Sequence, residues 1–251
     1  MKEKKATLIE EFKRYFRVEL VTTQSQEKQA YRVRYRVYCE EFNYEATDLF
    51  PEEMEVDEFD EQSLHCLIIH KATGRAAGCV RLVPANEKHE GGLLPLEKFC
   101  KDSLDMELIN SLDIERNTVC EISRLAVDTA FRRRPGETAT RFGGPDSIDC
   151  TKQEQRTFSL IALSAFLAGG ALTYITDKTN VFAMMEPFLP RMLKRTGIAF
   201  DRVGSDTDYH GIRAPYFVTT QAVMDNIQPD IKEMYEWVYQ QIEVDYINKF
   251  K

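Results

Sequence analysis

The chain has 251 residues, with 33 Lys and Arg against 41 Asp and Glu, so its formal net charge is −8. Hydrophobic residues make up 43% of the chain and charged residues 29%, a composition that is typical of globular proteins and excludes disordered and fibrous classes. The acidic balance argues against a general nucleic-acid binder, because phosphate binding requires a concentrated basic face.

Six cysteines are scattered along the chain, and no two have the C-x-x-C spacing of a zinc or redox site. The N-terminus is basic, but Glu10 and Glu11 follow it where a signal peptide needs an apolar segment. We therefore predict free thiols in a cytoplasmic protein. With only four histidines, a histidine-rich metal site is not expected.

The uncharged stretch over 157–176 is long enough to be weighed as a membrane span. Gly169-Gly170 interrupts it, and the order helix, glycine, strand fits a soluble α/β layer better than a continuous span. We predict a buried helix over 153–168, a stop at the glycines, and a buried strand over 171–176.

Elsewhere, periodicity and turn signals predict an alternation of helices and strands. Before the long polar loop over 131–152 we expect helices over 6–16, 27–42, 93–100 and 104–112, and strands over 18–23, 64–70, 76–84 and 119–127. After it we expect helices over 180–185, 187–195 and 229–249, and strands over 198–203 and 216–220. No linker divides the chain, which predicts one mixed α/β domain over residues 1–251.

Several charged residues lie inside apolar segments. Glu121 and Arg124 interrupt a predicted strand, and Arg81 follows an apolar run in the hairpin. An unpaired buried charge costs on the order of several kcal/mol, so these residues need partners. The acids Asp57 and Asp60 and the bases Arg34, Arg81 and Arg124 could balance one another. A buried network that only fixes the fold is the alternative to a functional site.

The motifs around these charges resemble those of the acyl-homoserine-lactone synthases. That family has R-x-R-V-F, D-x-F-D, G-x-x-R-L-x-P and E-I-S-R-F-A-V in this order. Here the four read Arg34 to Tyr38, Asp57 to Asp60, Gly78 to Pro84, and Glu121 to Val127. In the second half, the segments 182–187, 191–198 and 209–216 are similar to acyltransferases associated with the PEP-CTERM/exosortase system. The N-acyl amino acid synthases share the same fold and chemistry.

The resemblance implies a GNAT fold, in which helices flank a mixed central sheet with a splayed pair of strands. It implies an N-acyltransferase that moves a fatty acyl group from an acyl-carrier-protein or acyl-CoA thioester to the amine of an amino acid or a related small molecule. The thioester is a co-substrate, and no tightly bound cofactor or metal is expected. Two alternatives stay open: a homoserine-lactone synthase that uses S-adenosylmethionine, and a non-catalytic acyl-binding module.

The resemblance also places the site. An attacking amine needs a base, and the oxyanion that forms needs N–H donors. The catalytic candidates are Glu121 as the base, Ser123 and Arg124. The candidates for substrate binding are Arg34, Asp57, Asp60, Arg81 and Phe99. Without a bulge in the strand, Glu121 and Ser123 share one face of the sheet and Arg124 points to the other.

A basic patch is the candidate docking site for a carrier protein. The chain is acidic overall, so an acidic partner can dock only where local positive charge overcomes long-range repulsion. The GNAT pyrophosphate signature is replaced here by Arg132-Arg133-Arg134-Pro135-Gly136, which leaves room for an acyl carrier protein as the donor. The candidate docking residues are Arg132, Arg133, Arg134, Lys152, Arg191, Lys194 and Arg195. A solvated loop and a helix C-terminus that the dipole favours are the alternative explanation.

Overall fold

The computed structural model describes residues 6–85, 92–132 and 150–250. Within these ranges the α-helices are α1 (Leu8–Tyr15), α2 (Gln24–Arg34), α3 (Pro95–Phe99), α4 (Met106–Ser111), α5 (Lys152–Gln155), α6 (Ser159–Ile175), α7 (Leu189–Lys194), α8 (Thr220–Asn226) and α9 (Pro229–Phe250). The strands are β1 (Phe16–Leu20), β2 (Leu64–His70), β3 (Ala76–Pro84), β4 (Val119–Val127), β5 (Asn180–Met185), β6 (Asp201–Arg202), β7 (Thr207–Asp208) and β8 (Ile212–Thr219).

The strands form a mixed sheet in the order β1-β2-β3-β4-β5-β8-β6, and β7 pairs with β8 beside this path. Neighbours from β1 to β4 are antiparallel, β4 and β5 are parallel, and β5 and β8 are antiparallel. A parallel pair requires a crossover connection, and α6 lies within the one that joins β4 to β5.

Helices cover both faces of the sheet, because the strands alternate their side chains between two apolar clusters. On β2, Ile68 packs into the cluster formed with α6 and α9. Its neighbours Leu67 and Ile69 pack into the cluster formed with α2. The predicted mixed α/β architecture with helices on both sides is confirmed. No helix within the described ranges is long and apolar enough to cross a membrane.

Strands β2, β3 and β4 and helix α9 lie where the sequence pattern predicts them, to within one residue. The predicted helix over 27–42 is α2 followed directly by a π-helical segment, Tyr35–Glu41. An i to i+5 hydrogen bond from Phe42 N to Val37 O, 3.1 Å long, marks this wider turn. Such turns occur often at functional sites. Cys39, Cys66, Cys79, Cys100 and Cys120 are free thiols.

The predicted stop at Gly169-Gly170 and the strand over 171–176 are wrong, because α6 continues to Ile175. Neither glycine has a positive φ, which a helix-ending glycine usually requires. A Cβ at Gly169 would lie 3.2 Å from the side chain of Ile122, so this glycine lets the helix approach β4 closely. Tight packing of the helix on the sheet explains the glycine better than termination.

The predicted helix over 180–185 is also wrong, because these residues form β5. Its backbone pairs with β4 on one side and β8 on the other, and Val181, Phe182 and Ala183 are buried. A short apolar run fits a buried strand and a buried helix equally well in sequence, and here the two neighbouring strands decide. The observed strand supplies one wall of the cleft described below.

Candidate active site

A cleft opens in the sheet where β4 and β5 separate. The two strands pair only over Val119–Glu121 and Asn180–Phe182, although both continue further. Beyond this point the gap forms a cavity of about 140 Å³. Its lining residues are Tyr38, Glu121, Ile122, Ser123, Arg124, Leu125, Phe166, Ala183, Met184, Met185, Glu186, Phe188, Leu189, Tyr209 and Arg213. The predicted splayed strand pair is therefore present, and Glu121 to Leu125 lie along it.

A bulge in β4 changes the direction of Arg124. Cys79 and Arg81 of β3 pair with Ala126 and Ser123, so one more residue lies between the pairs on β4 than on β3. Arg124 has φ 52°, a left-handed conformation that costs a non-glycine residue about 1–3 kcal/mol. Its side chain meets the same carboxylate as the side chain of Arg81. The expected alternation, which holds only for a strand without a bulge, does not apply here.

The charges predicted to converge form a closed ring of alternating sign, which we call the charge ring. Arg34 contacts Glu55 and Asp60, Arg124 contacts Glu55 and Asp57, and Arg81 contacts Asp57 and Asp60. Each member therefore touches two members of opposite charge. The ring holds as many carboxylates as guanidinium groups, so its formal charges cancel.

The contacts within the charge ring are short and charge-assisted. Arg34 donates to both carboxylate oxygens of Asp60, at 2.6 and 2.9 Å, and its Nε donates to Glu55. Arg81 Nη1 donates to Asp57 at 2.6 Å and to Asp60 at 2.7 Å. Fork-shaped contacts of this kind fix both distance and orientation.

Arg124 completes the charge ring. Its Nη2 donates to Asp57 Oδ2 at 3.0 Å and to Glu55 Oε1 at 3.1 Å. Its guanidinium also lies over the ring of Tyr38, 5.4 Å from the centroid, in a cation–π contact. These contacts hold the strained backbone of Arg124 in place.

The members of the charge ring differ in how far their side chains are exposed to solvent. Arg34 and Arg81 are fully buried, while 20% of the side chain of Asp57 is accessible to solvent. Burial opposes ionisation of Glu55, but the charges of Arg34 and then Arg124 outweigh it and lower the pKa of Glu55 to about 2. Likewise, Arg34 and Arg81 hold the pKa of Asp60 far below its usual range despite burial. Both Glu55 and Asp60 are therefore carboxylates at neutral pH.

Glu55 is a member of the charge ring that the sequence did not identify. In the acidic segment over 55–60, only Asp57 and Asp60 were predicted as partners of the arginines. Glu55 is buried as well, with 1% of its side chain exposed. A signal was available, because Glu55 lies two residues before Asp57. It also lies two residues after Glu53, which stays exposed. Spacing alone did not show which acid meets the arginines.

Glu121 lies outside the charge ring, at the last paired position of β4. Its side chain is buried, and Oε2 accepts a hydrogen bond from Leu96 N at 2.8 Å. Burial raises the pKa of Glu121 to about 7, although this hydrogen bond and the charges of Arg81 and Arg124 lower it. A carboxyl group with this pKa can take up or release a proton near neutral pH.

The remaining predicted site residues occupy different places. Ser123 lines the cavity, and its hydroxyl accepts a hydrogen bond from Arg81 Nε at 3.1 Å. Phe99 is half exposed and does not line the cavity. Its ring packs edge-on against Phe59 and lies parallel to Tyr209, with centroids 6.1 Å apart in each pair.

An aromatic wall that the sequence did not reveal lies on one side of the cavity, and two of its members, Tyr38 and Tyr209, line the space. Tyr209 lies 4.4 Å from His210, and His210 lies 5.6 Å from Tyr44 and 6.2 Å from Tyr38, measured between ring centroids. A turn with positive φ at His210 and at Gly211 presents this part of the wall between β7 and β8. Burial raises the pKa of Tyr209 to about 12, so its hydroxyl stays protonated.

An apolar cavity lies behind the cleft, between the sheet and helices α6, α8 and α9. Ile122 and Phe166 line both cavities and separate them. The other lining residues are Leu167, Gly170, Thr173, Val181, Phe200, Val218, Thr220, Val223, Met224 and Tyr235. This cavity has a volume of about 30 Å³, and its surface is apolar and offers no charged group.

The predicted docking residues do not form a single patch. Arg191, Lys194 and Arg195 are exposed at the end of α7, whose first residue lines the cleft. Arg132 instead pairs with Glu41. Lys152 begins α5, which packs against α1 near the β1 edge of the sheet. Arg133 and Arg134 lie outside the described residues.

Comparison with known proteins identifies the fold. Residues 33–141 match the family model of the acetyltransferase (GNAT) domain, a range that includes the charge ring and Glu121. TofI, in a ternary complex with an inhibitor and MTA, is similar in structure with 18% identity and a TM-score of 0.59, over 86% of this chain and 99% of that chain. No curated protein sequence matches the chain at a significant level.

Two further solved structures share this similarity. BjaI, a CoA-dependent acyl-homoserine lactone synthase with SAM and isopentyl-CoA, is 14% identical with a TM-score of 0.57, over 89% of each chain. FeeM, an N-acyl amino acid synthase from uncultured soil microbes, is 10% identical with a TM-score of 0.53, over 84% of this chain and 94% of that chain. The predicted GNAT fold is confirmed. The domain match also bears out the predicted enzyme class, an acyltransferase.

Replacing Glu55 by Gln should destabilise the protein by about 3–5 kcal/mol at pH 7, because Arg34 and Arg124 then keep buried charge without full compensation. Urea unfolding at pH 7 measures the loss. Since the pKa of Glu55 is lowered to about 2 in the folded protein, the stability that its carboxylate adds is lost as the pH falls from about 4.5 toward 2. The difference in unfolding free energy between the wild type and the variant should therefore narrow over this range.

The matched control for Glu55 is Glu58→Gln in the same acidic segment. Glu58 is half exposed and pairs with Lys98 at 2.5 Å on the surface. Exposed pairs contribute at most about 1 kcal/mol, so this variant should unfold almost as the wild type does. Equal losses in the two variants would contradict the importance of the charge ring.

Replacing Glu121 by Gln should change how stability depends on pH. Because the pKa of Glu121 is raised to about 7 in the folded protein, the unfolded chain releases this proton first, and wild-type stability falls between about pH 4.5 and pH 7. The variant lacks this fall, so its stability relative to the wild type should rise by up to about 3 kcal/mol from pH 5 to pH 8. Urea unfolding across this range measures the difference. A constant difference would mean that Glu121 titrates normally.

Proposed function

We propose that the protein is an N-acyltransferase that moves a fatty acyl group from a thioester to the amine of an amino acid or a related small molecule. The observation that carries this proposal is the position of Glu121, a buried carboxyl group with a pKa of about 7 beside a cleft between two parted strands. The carboxylate form can accept a proton from an amine, and the buried cleft limits competing water.

The reaction follows from the chemistry of the two substrates. The nitrogen of the neutral amine attacks the thioester carbonyl, and its proton passes to Glu121 directly or through a water molecule. The tetrahedral intermediate then collapses, the carbon–sulfur bond breaks, and the thiolate leaves and takes up a proton. The new carbon–nitrogen bond is an amide.

The oxyanion of the intermediate needs fixed N–H donors. Beyond Glu121 the β4 backbone has no β5 partner, and Ile122 to Leu125 line the gap. Backbone N–H groups on this side of β4 are therefore suited to receive the thioester carbonyl. The bulge at Arg124 changes their spacing relative to a regular strand.

Within this proposal the charge ring supports the site. Arg34 is fully buried with both its acidic partners, so we assign it a positioning role for the acidic segment and for Arg124. Asp57, which is partly accessible, is the ring carboxylate best placed to meet the substrate amine. Arg81 orients Ser123 through its hydrogen bond to the hydroxyl.

The apolar cavity behind Ile122 and Phe166 is the proposed site of the acyl chain. It begins beside the cleft where the thioester reacts, and a hydrocarbon chain would bury apolar surface there. Rotation of the Ile122 or Phe166 side chain would connect the two spaces. The size of this cavity then sets the length of the acyl group.

The donor is an acyl carrier protein or coenzyme A thioester. An acidic carrier protein would meet Arg191, Lys194 and Arg195 at the end of α7, which begins at the cleft. The wider context, a cytoplasmic single-domain enzyme related to the PEP-CTERM/exosortase system, follows from the sequence resemblance and belongs to the same proposal.

The proposal is tested with purified protein, acyl-carrier-protein and acyl-CoA donors of several lengths, and a panel of amino acids. Thiol release and mass spectrometry of the products should show an N-acyl amino acid. Glu121→Gln should lower kcat by about 100-fold or more, because the base is removed while the hydrogen-bond acceptor for Leu96 N is kept.

The control for this assay is Glu236→Gln, which removes an exposed carboxylate on α9. This variant should retain turnover close to that of the wild type. Full activity of Glu121→Gln would show that another group is the base. Release of methylthioadenosine with S-adenosylmethionine would favour a lactone synthase, and binding of acyl donors without turnover would favour a non-catalytic module.

The acyl-chain site is tested by the series Gly170→Ala, Val and Leu. A Cβ at Gly170 would be in ordinary contact, 3.8 Å from Tyr235, so small additions fill the cavity without displacing backbone. Each step should shorten the preferred acyl group, with kcat/KM for the longest one falling about 10-fold or more. Ser159→Leu on the exposed start of α6 is the control. An unchanged chain-length profile would place the acyl chain elsewhere.

A further inference from the structure

Arg213 is a cation in the cleft that has no anionic partner within the described part of the chain. The charge ring neutralises Arg34, Arg81 and Arg124, but Arg213 on β8 also lines the cleft. No ion pair or side-chain hydrogen bond joins Arg213 to the residues that the structure describes, and its Nε is buried without a hydrogen-bond partner. A buried N–H group without a hydrogen-bond partner costs about 1–3 kcal/mol. An acceptor from a bound ligand would therefore stabilise the Nε–H group of Arg213.

The guanidinium of Arg213 is held without using its hydrogen-bond donors. It lies over the ring of Tyr44, 5.6 Å from the centroid. A cation–π contact uses the face of the guanidinium and leaves the N–H groups at its edge free. Tyr44 is fixed in turn by a stacked contact with Phe42, 5.2 Å between centroids. The fork of Arg213 is therefore oriented in advance for a planar anion.

On the β4 side of the same cleft lies an acidic side chain, Glu121. Glu121 can accept a proton from an amine, whereas Arg213 can bind a carboxylate in the two-pronged geometry that suits its fork. An α-amino acid carries these two groups on one carbon atom. Tyr38 and Tyr209 line the space as well and offer apolar ring surface to a side chain.

We propose that Arg213 binds the carboxylate of the acceptor, so that the protein selects a free α-amino acid over an amine that lacks a carboxylate. This inference rests on the proposed acyl transfer and adds a residue that determines specificity. The amino group then points toward Glu121, and the carboxylate remains on the Arg213 side of the cleft. A phosphate of the donor is the competing ligand for the same fork, and the kinetics below separate the two.

The test compares Arg213→Gln and Arg213→Lys with the wild type. Acceptors are used in matched sets: an amino acid, its methyl ester, and the amine that remains without the carboxylate. Wild-type protein should prefer the amino acid about 10- to 100-fold in kcat/KM, the range that a charged hydrogen bond supports. Arg213→Gln should lose this preference through a higher acceptor KM, and Arg213→Lys should restore part of it.

Three further results would each decide the question. A wild type that uses all three acceptors equally, or an Arg213→Gln variant that loses activity toward all three alike, would overturn the inference. A raised donor KM with an unchanged acceptor KM would assign Arg213 to a donor phosphate instead. Arg202→Gln, an exposed arginine on β6 paired with Asp206, is the control for charge removal. Thermal unfolding checks that each variant is folded.

Calorimetric binding of the amino acids without any donor separates this inference from the proposed function. Wild-type protein should bind the preferred amino acid and bind its methyl ester more weakly, while Arg213→Gln should lose the difference. If no acyl transfer occurs but this pattern of binding does, the proposed function fails and the inference holds. If acyl transfer occurs and the binding pattern is absent, the inference fails alone.

Discussion

The structure around the cleft depends on pairing among buried charges. Burying Arg34, Arg81 or Arg124 alone would be costly, and the charge ring offsets that cost by giving each guanidinium two carboxylates. Its members come from α2, from the acidic segment, and from β3 and β4. The ring therefore joins segments that are distant in sequence and fixes the acidic segment against the sheet.

The charge ring also explains how the sheet accommodates the bulge in β4. The bulge at Arg124 has an unfavourable backbone conformation, and the contacts to Glu55, Asp57 and Tyr38 stabilise it. Close to the bulge, β4 and β5 separate. Glu121 occupies the last paired position, so the sheet buries its carboxyl group while the opening leaves it beside the cavity. Burial at this position raises the pKa of Glu121 to about 7.

Sequence patterns predicted correctly the elements whose pattern is complete within one segment of the chain. The hairpin of β2 and β3 has a turn between two apolar runs, and α9 has a continuous helical pattern, so both were found. The segments 171–176 and 180–185 were assigned wrongly. Both are short, apolar and buried, and only the neighbouring strands and helices distinguish helix from strand there.

The sequence by itself determined that charges in apolar strands must find opposite charges, and it identified Arg34, Asp57, Asp60, Arg81 and Arg124 as those that do. The tertiary structure alone decided that Glu55 closes the ring and that Tyr209 lines the cleft beside His210. It also decided that Arg213 lines the cleft without an ion pair to any residue that the structure describes. The reason is physical. The need for a partner follows from the free energy of burying one charge, whereas the identity of that partner depends on contacts between residues far apart in the chain.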